Sequence, residues 1–288
     1  MNTAERTAQG VLVRLPVLMY HHVGEAPSGF CPDLSVPRDL FERQIRWLAS
    51  HGYTSIRATD WLAWVHEGKP LPAKPILLTF DDGYADMAQC ALPILKQYGF
   101  GGLVFVVSSF IGHTNQWDEA QGYPSVPLMT AEQIRRWARQ GMEFGAHSRT
   151  HVDLTRLGPE RLEEEVAGSG KELEEILQTR ITSFAYPCGL VNAEVRQAVG
   201  KGFDLSFTIE EGLNTSATDL LAQRRIMVLP RGSLIRFRWR ARYGFDPINH
   251  FARHIYGSII KDLGLSPDFL ERWGCYIPSK NGIRGPRV

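Results

Sequence analysis

Short apolar, β-branched runs alternate with amphipathic stretches along most of the chain, and this alternation restricts the possible folds more than any other feature. Each run is four to six residues long and bounded by turn residues, as expected for a buried strand. Strands that alternate with helices predict a parallel sheet covered by helices, either closed as a barrel or open. We place the strands at residues 16–20, 76–80, 103–107, 142–147, 183–186, 205–209 and 226–229, and the helices at 37–51, 85–98, 130–140, 160–177 and 192–201.

The chain length fits one large α/β domain followed by an extension. With 288 residues, 43% of them hydrophobic, the chain can bury a full core without disulfides. The alternation stops near Leu234, so we predict a domain at residues 1–235 and a basic, mainly helical extension at 236–288. In domains of this class, ligands bind at the carboxyl ends of the strands.

Positive charge is concentrated near the carboxyl terminus. Residues 231–288 contain eleven Lys or Arg and four Asp or Glu, whereas residues 1–230 carry a net charge of −6. Such a segment either attracts an anionic membrane surface or a phosphate-bearing ligand, or is only a solvated helical tail. No nucleic-acid recognition motif accompanies the charge, so we do not expect a nucleic-acid partner.

The sequence favours a cytoplasmic location. Arg14 and Pro16 interrupt the amino-terminal apolar stretch, and no apolar run approaches the roughly 20 residues of a membrane-spanning helix. Four cysteines without a CxxC pair or a dense framework indicate reduced thiols. We therefore predict a cytoplasmic protein without a signal peptide, with peripheral contact at the inner face of the membrane as a further expectation.

Two adjacent carboxylates follow the strand predicted at residues 76–80. Side by side, Asp81 and Asp82 raise one another's pKa unless a cation or a division of roles separates them. One interpretation is a metal ligand, Asp82, beside a free base, Asp81, that takes a proton from water. The alternative is a simple Asp-Asp-Gly turn.

Two histidines four residues apart lie at and just after the end of the strand predicted at residues 142–147. His147 and His151 can reach one metal ion, and with Asp82 they would form a three-ligand site with open positions. The spacing alone is weak, because His250 and His254 repeat it in the extension, where no carboxylate pair follows a strand. We interpret that second pair as structural or solvent-facing.

Three motifs, in this order, resemble the polysaccharide deacetylases of carbohydrate esterase family 4, the NodB-homology family. They are TFDDG at residues 79–83, HSRTH at 147–151 and FAYPCG at 184–189. The resemblance implies a distorted (β/α)7 barrel and metal-dependent removal of an N-acetyl group from an amino sugar. The segment at residues 16–23 further resembles the branch that acts on poly-N-acetylglucosamine and related exopolysaccharides.

The resemblance also implies roles for individual residues. Asp82, His147 and His151 would hold the metal, with zinc preferred and cobalt or nickel as alternatives. Asp81 would be the base. The backbone N–H of Cys188 falls where relatives donate to the tetrahedral oxyanion, a role that needs no particular side chain.

The sequence departs from the family pattern at the arginine that many members use to tune the catalytic base. That position is Ala185 here, so another residue must orient Asp81. We predict Arg225, from a later strand, as the substitute donor. The alternative is that Arg225 is a surface charge.

A second departure concerns the general acid. Many relatives use a late-strand histidine, but none occurs between His151 and His250. A histidine after the first strand is the better choice, and we select His21 over His22 because it directly follows the strand end. It would protonate the leaving amine, or alternatively only shape the site.

Together these observations predict a metal-dependent carbohydrate N-deacetylase. The substrate would be an N-acetylglucosamine-type glycan or its lipid- or nucleotide-linked precursor, with acetate released. Asn115, Trp117 and Asp118 lie in a loop that suits a sugar face, although Trp117 could equally pack in the core. A deformylase or other C–N amide hydrolase using the same site, or a carbohydrate-binding protein without catalysis, are the alternatives.

Overall fold

A parallel β-sheet forms the centre of the computed structural model, which describes residues 13–25, 27–119, 122–230 and 233–245. Its seven main strands follow the order β10-β1-β5-β6-β7-β8-β9, and β4 pairs with β5 at one side. All the pairings are parallel, as predicted from the alternation of strands and helices. The strands are β1 (Val17–Tyr20), β2 (His22–Val23), β3 (Ser35–Val36), β4 (Thr54–Ser55), β5 (Pro75–Phe80), β6 (Leu103–Val106), β7 (Glu143–Ala146), β8 (Ser183–Ala185), β9 (Leu205–Phe207) and β10 (Ile226–Met227).

The segment around Gln223 bridges the two edges of the curled sheet. Its backbone N–H donates to Ser206 O and its carbonyl accepts from Thr208 N, which pairs it with β9. Three residues later, Ile226 of β10 pairs with Leu18 of β1. The strands therefore curl into a barrel, and their carboxyl ends meet at one rim.

Helices cover the outside of the sheet and begin where the local chemistry predicts. Thr130 and Gln133 form a reciprocal capping box at the start of α5, with distances of 3.2 and 2.8 Å. The helix predicted at residues 85–98 is divided into a π-helical turn and α3, whose second residue is a proline that has no N–H to donate to the preceding turn. The helices are α1 (Arg38–Ser50), α2 (Ala58–Glu67), α3 (Leu92–Gln97), α4 (Gln116–Glu119), α5 (Ala131–Ala138), α6 (Pro159–Leu177), α7 (Ala193–Gly202) and α8 (Leu234–Tyr243).

The start of the basic extension packs on the barrel. The domain boundary predicted at residue 235 falls inside α8, whose Phe237 and Ala241 belong to the main hydrophobic core. His250, His254 and the rest of residues 246–288 lie outside the described residues. Within the described part of the chain, no helix combines the length and apolar character needed to cross a membrane.

Candidate active site

The chemically distinctive side chains lie at the rim formed by the carboxyl ends of the strands. Asp81 and Asp82 directly follow β5, His147 follows β7, and His21 follows β1. Because neighbouring parallel strands end at the same edge, residues from distant parts of the sequence meet there. Asp81, Asp82 and His147 are almost completely buried at this rim.

Asp82, His147 and His151 form a potential metal site. The Nε2 atoms of both histidines lie 3.5 Å from Asp82 Oδ1, and one ligand atom from each residue falls within 4.8 Å of the others. Asp82 Oδ1 is buried and has no hydrogen-bond partner among the described residues. Burial raises the pKa of Asp82 well above its usual range, and the charges of Asp81 and Asp118 raise it further. A divalent cation fits this site because it would satisfy the buried oxygen and offset those charges.

A backbone carbonyl fixes the orientation of the His147 ring. His147 Nδ1 lies 2.7 Å from Ala185 O, and a carbonyl oxygen can only accept, so Nδ1 carries the proton. The unprotonated Nε2 is then directed at Asp82. Metal-ligating histidines are commonly oriented in this way, by a partner on the other ring nitrogen.

The loop that carries His151 is held in a strained conformation by a residue that sequence reasoning missed. Ser148 and His151 have φ values of 60° and 58°, which side chains other than glycine rarely adopt. Glu165, fully buried on α6, accepts hydrogen bonds from Arg149 N at 3.0 Å, Thr150 N at 2.9 Å and Thr150 Oγ1 at 2.7 Å. These three hydrogen bonds to one carboxylate offset the backbone strain and place His151 beside Asp82.

We expect Glu165→Gln to weaken zinc binding about tenfold, because the amide nitrogen cannot accept and one of the three loop bonds is lost. Glu163→Gln is the matched control, since Glu163 lies on the same helix, is half exposed, and pairs with Lys201 and not with the metal loop. Zinc titration of both variants measures the effect. Equal zinc affinity in the two variants would show that Glu165 does not position the metal loop.

The Asp81 carboxylate is clamped by Arg225. The guanidinium donates to both oxygens, with Nη1 2.6 Å from Oδ1 and Nη2 2.8 Å from Oδ2. Arg225 is itself buried, and its Nε donates to Thr208 O at 2.8 Å. Burial alone would raise the pKa of Asp81, but the charges of Arg225 and His147 and the Arg225 hydrogen bonds overcome it and lower the pKa to about 2. Asp81 is therefore ionised and fixed in orientation.

The two histidines after β1 have different surroundings. His21 Nε2 lies 4.0 Å from Asp81 Oδ2, at the edge of the site. The His22 ring is buried elsewhere, with Nδ1 2.9 Å from Ser35 Oγ and 3.7 Å from Asp86 Oδ2. Of the two, only His21 is within reach of the atoms around Asp81.

A second group of side chains borders the metal site. The Trp117 ring lies 4.9 Å from the His151 ring, and Tyr84 Oη donates to Asp118 Oδ2 at 3.3 Å. Asn115 is fully buried, and its amide bonds Asp118, Pro124 O and Val126 N, so it shapes the loop and does not face a sugar. Trp117 and Asp118 remain positioned at the rim.

Comparison with known proteins identifies the family. The family model described as polysaccharide deacetylase matches residues 68–202. YxkH of Bacillus subtilis (strain 168), whose name places it among the polysaccharide deacetylases, is 31% identical over 218 residues, which cover 75% of this chain and 72% of YxkH. The chain belongs to the polysaccharide deacetylase family.

Other members of this family support the predicted branch and fold. The poly-beta-1,6-N-acetyl-D-glucosamine N-deacetylase of Staphylococcus aureus (strain MRSA252) is 25% identical over 187 residues, which span 62% of either chain. The structure of the Streptococcus pyogenes deacetylase PplD in complex with acetate has a TM-score of 0.68 and 26% identity, covering 77% of this chain and 96% of PplD. IcaB from Ammonifex degensii, at 24% identity and a TM-score of 0.68, shares the fold. The predicted (β/α)7 barrel and the predicted family are confirmed.

In this deacetylase the third family motif forms the turn after β8. Cys188, in the left-handed region at φ 55°, and Gly189, at φ 69°, turn the chain sharply at the rim. A Cβ on Gly189 would clash with the side chain of Ile209, two residues after β9, so the turn packs tightly against that side chain.

Proposed function

We propose that this protein is a metal-dependent N-deacetylase that hydrolyses the acetamido group of N-acetylglucosamine units in a polysaccharide and releases acetate. The proposal depends on the buried Oδ1 of Asp82, which has no hydrogen-bond partner in the described part of the chain and lies 3.5 Å from the Nε2 atoms of two histidines, next to the ionised Asp81. The staphylococcal relative, named for its action on poly-β-1,6-N-acetyl-D-glucosamine, supports the substrate class. Zinc is the preferred ion for the ligand set, with cobalt or nickel as alternatives.

In the proposed reaction, the metal ion and the protein groups have different roles. A bound divalent cation polarises the amide carbonyl and lowers the pKa of water. Asp81, kept ionised by Arg225, takes the proton of the attacking water. The backbone N–H of Cys188 donates to the developing oxyanion, which needs donors fixed in advance by the tight turn after β8.

His21 is the proposed acid for the leaving nitrogen. Burial lowers the pKa of His21 to about 4, so the ring is neutral at neutral pH before the reaction begins. It must therefore gain its proton during the reaction. Asp81, 4.0 Å away, can supply one after it has taken the proton of the water.

We expect His21→Gln to lower kcat about 10²- to 10⁴-fold, the range over which proton transfer by a positioned side chain contributes. Zinc stoichiometry should not change, because His21 contributes no ligand atom to the metal cluster. His22→Gln is the comparison, since the His22 ring contacts Ser35 and lies near Asp86. A larger loss of kcat in the His22 variant than in the His21 variant would contradict the assignment of the acid role to His21.

A substrate panel tests the proposed function directly. Acetate release is measured from β-1,6- and β-1,4-linked N-acetylglucosamine oligosaccharides, nucleotide-linked and lipid-linked N-acetylglucosamine, and an N-formyl analogue. We expect the β-1,6-linked oligosaccharide to be hydrolysed in a zinc-dependent way, and Asp81→Asn to abolish hydrolysis. Preference for the N-formyl analogue would indicate a deformylase, and sugar binding without acetate release would indicate a protein that only binds carbohydrate.

We propose a cytoplasmic protein, with the basic segment that follows residue 230 providing peripheral contact with an anionic membrane surface. The charge of that segment, eleven Lys or Arg against four Asp or Glu, supports contact with an anionic surface. Fractionation of cells into soluble, membrane and external material tests the location.

A further inference from the structure

A second cavity lies at the opposite end of the barrel from the candidate active site. It has a volume of about 500 Å³ and lies between α8, the end of α1 and the residues that precede β1 and β5. Pro16 and Pro75 mark the amino ends of these two strands, whereas Asp81 lies at the carboxyl end of β5. The six residues of β5 at ~3.3 Å each separate the two regions by about 20 Å.

The cavity combines exposed cations with aromatic rings. Arg14, Lys74, Arg238 and Arg242 line it and are exposed, and no carboxylate is found among its described lining residues. Four positive charges around one cavity repel one another unless an anion is bound between them. The cavity therefore has the charge of a site for an anionic group such as a phosphate.

Trp47 forms the wall of the cavity beneath these cations. The Arg238 guanidinium carbon lies 5.6 Å from the centroid of the Trp47 ring, and Lys74 Nζ lies 5.9 Å from that of Tyr53. The cavity therefore presents cations that lie over aromatic rings of its wall.

An apolar stripe on α8 adjoins the cavity. Ile235, Trp239 and Tyr243 are spaced four residues apart on one face of the helix, with exposed fractions of 62%, 45% and 40%. Phe245, just beyond the helix, is 42% exposed. Trp and Tyr beside Arg are the side chains that favour the interface between lipid headgroups and acyl chains. A soluble phosphate ligand would leave this stripe in water.

We infer that α8 and the adjoining cavity form a docking site for an anionic bilayer, with the cavity receiving a lipid phosphate. Trp239 and Tyr243 both line the cavity and belong to the exposed stripe, so one surface provides the phosphate site and the apolar contact. Docking through the amino ends of the strands directs the carboxyl-end rim away from the bilayer. If the proposed deacetylase function is correct, the substrate is then a glycan at a distance from that membrane.

Vesicle flotation tests the site in the full chain. We compare vesicles of phosphatidylcholine alone with vesicles containing phosphatidylglycerol, using the wild type and the double variant Arg238→Gln/Arg242→Gln. The control, Arg136→Gln/Arg139→Gln, removes the same amount of positive charge from two exposed positions. Arg136 lies on α5 and Arg139 directly follows it, and α5 packs beside β7, away from the cavity. We expect the first pair of changes to weaken binding to the anionic vesicles about thirtyfold, and the control to retain wild-type binding.

Quenching by brominated phosphatidylglycerol gives a readout specific to the stripe. Trp239→Phe should remove most of the quenching that vesicles cause in the wild type, whereas Trp61→Phe, on a fully buried ring, should not.

Equal vesicle binding by the two arginine double variants would overturn the proposal. Binding of glycerol 3-phosphate without vesicle binding would also overturn it, in favour of a soluble ligand. Acetate release from a soluble oligosaccharide is measured separately, so that failure of docking and failure of the proposed enzyme function can be distinguished.

Discussion

Replacing Asp82 with asparagine is expected to abolish acetate release and to weaken zinc binding by more than about a hundredfold. Asp82 Oδ1 is the only carboxylate oxygen in the described three-residue metal cluster, and asparagine replaces it with a neutral amide. Loss of a residue that merely supports a ligand already costs about 10- to 100-fold in metal affinity, so loss of a ligand should cost more. Asparagine also tolerates the φ of 71° at this position as aspartate does, so the backbone should not change.

Thermal unfolding separates metal loss from misfolding in the Asp82 variant. Because burial and neighbouring charges raise the pKa of Asp82, its ionised form is unfavourable without a cation. In chelator, the Asp82→Asn protein should therefore unfold at or above the temperature of the wild type. Added zinc should raise the unfolding temperature of the wild type, which binds it, but not that of the variant.

Asp118→Asn is the control for the Asp82 prediction. Asp118 lies in the rim loop and accepts hydrogen bonds from Tyr84 and Asn115, outside the three-residue metal cluster. Its charge acts on Asp82 only through space, so zinc affinity should change by a few-fold at most. Stoichiometric zinc in the Asp82 variant, measured by mass spectrometry of the intact protein, would rule out the proposed ligand set.

The metal cluster could be predicted from the sequence because its signals are local. Asp81 and Asp82 directly follow an apolar run, and His147 ends another, so strand periodicity alone puts them at the same rim. The sequence does not show how close the two strands lie in the sheet. In the structure, the strand before Asp81 and the strand before His147 are separated by a single strand, in the order β5-β6-β7.

Glu165 could not be predicted from the sequence because its role depends on packing between distant elements. It lies on a 19-residue helix rich in glutamate. Helical spacing puts Glu165 on the same face as Leu162 and Val166, but it does not show that this face packs against the loop before α6. That packing makes Glu165 the buried acid that accepts hydrogen bonds from Thr150. The cavity at the amino ends of the strands could not be predicted for the same reason, since it combines residues from five distant segments of the chain.

The role of Arg225 could be predicted in part from the sequence. The family resemblance showed that an arginine was missing at Ala185, and the sequence offered Arg225 on a later strand as a replacement. The side chain reaches Asp81 because β10 and the bridging segment before it close the barrel between β9 and β1. That closure depends on β10, which lies within the strand predicted at residues 226–229, but the sequence pattern does not show that this strand pairs with β1.

Arg225→Ala is expected to lower both stability and turnover. It leaves the Asp81 carboxylate buried without its bidentate partner, and breaking such a pair costs about 3–5 kcal/mol in the free energy of unfolding. Without the Arg225 charge, burial raises the pKa of Asp81 from about 2, so the base is protonated over a wider acid range. The acid limb of the pH–rate profile should move to higher pH, a shift that a purely structural role would not produce. Arg224→Ala, at the exposed neighbour paired with Glu210, should leave both properties unchanged.

Restoring an arginine at the family position tests whether the guanidinium itself is required. Ala185 is fully buried in the same core cluster as Phe105, over whose ring the Arg225 guanidinium lies at 5.7 Å. Removal of the Arg225 side chain leaves its space over the Phe105 ring empty, and the family resemblance implies that an arginine at residue 185 reaches the base. We expect Arg225→Ala/Ala185→Arg to recover turnover at least tenfold over Arg225→Ala and to return the acid limb towards the wild type. If the double variant folds but the acid limb of its pH–rate profile stays at the higher pH of Arg225→Ala, the proposal that a guanidinium lowers the pKa of Asp81 is wrong.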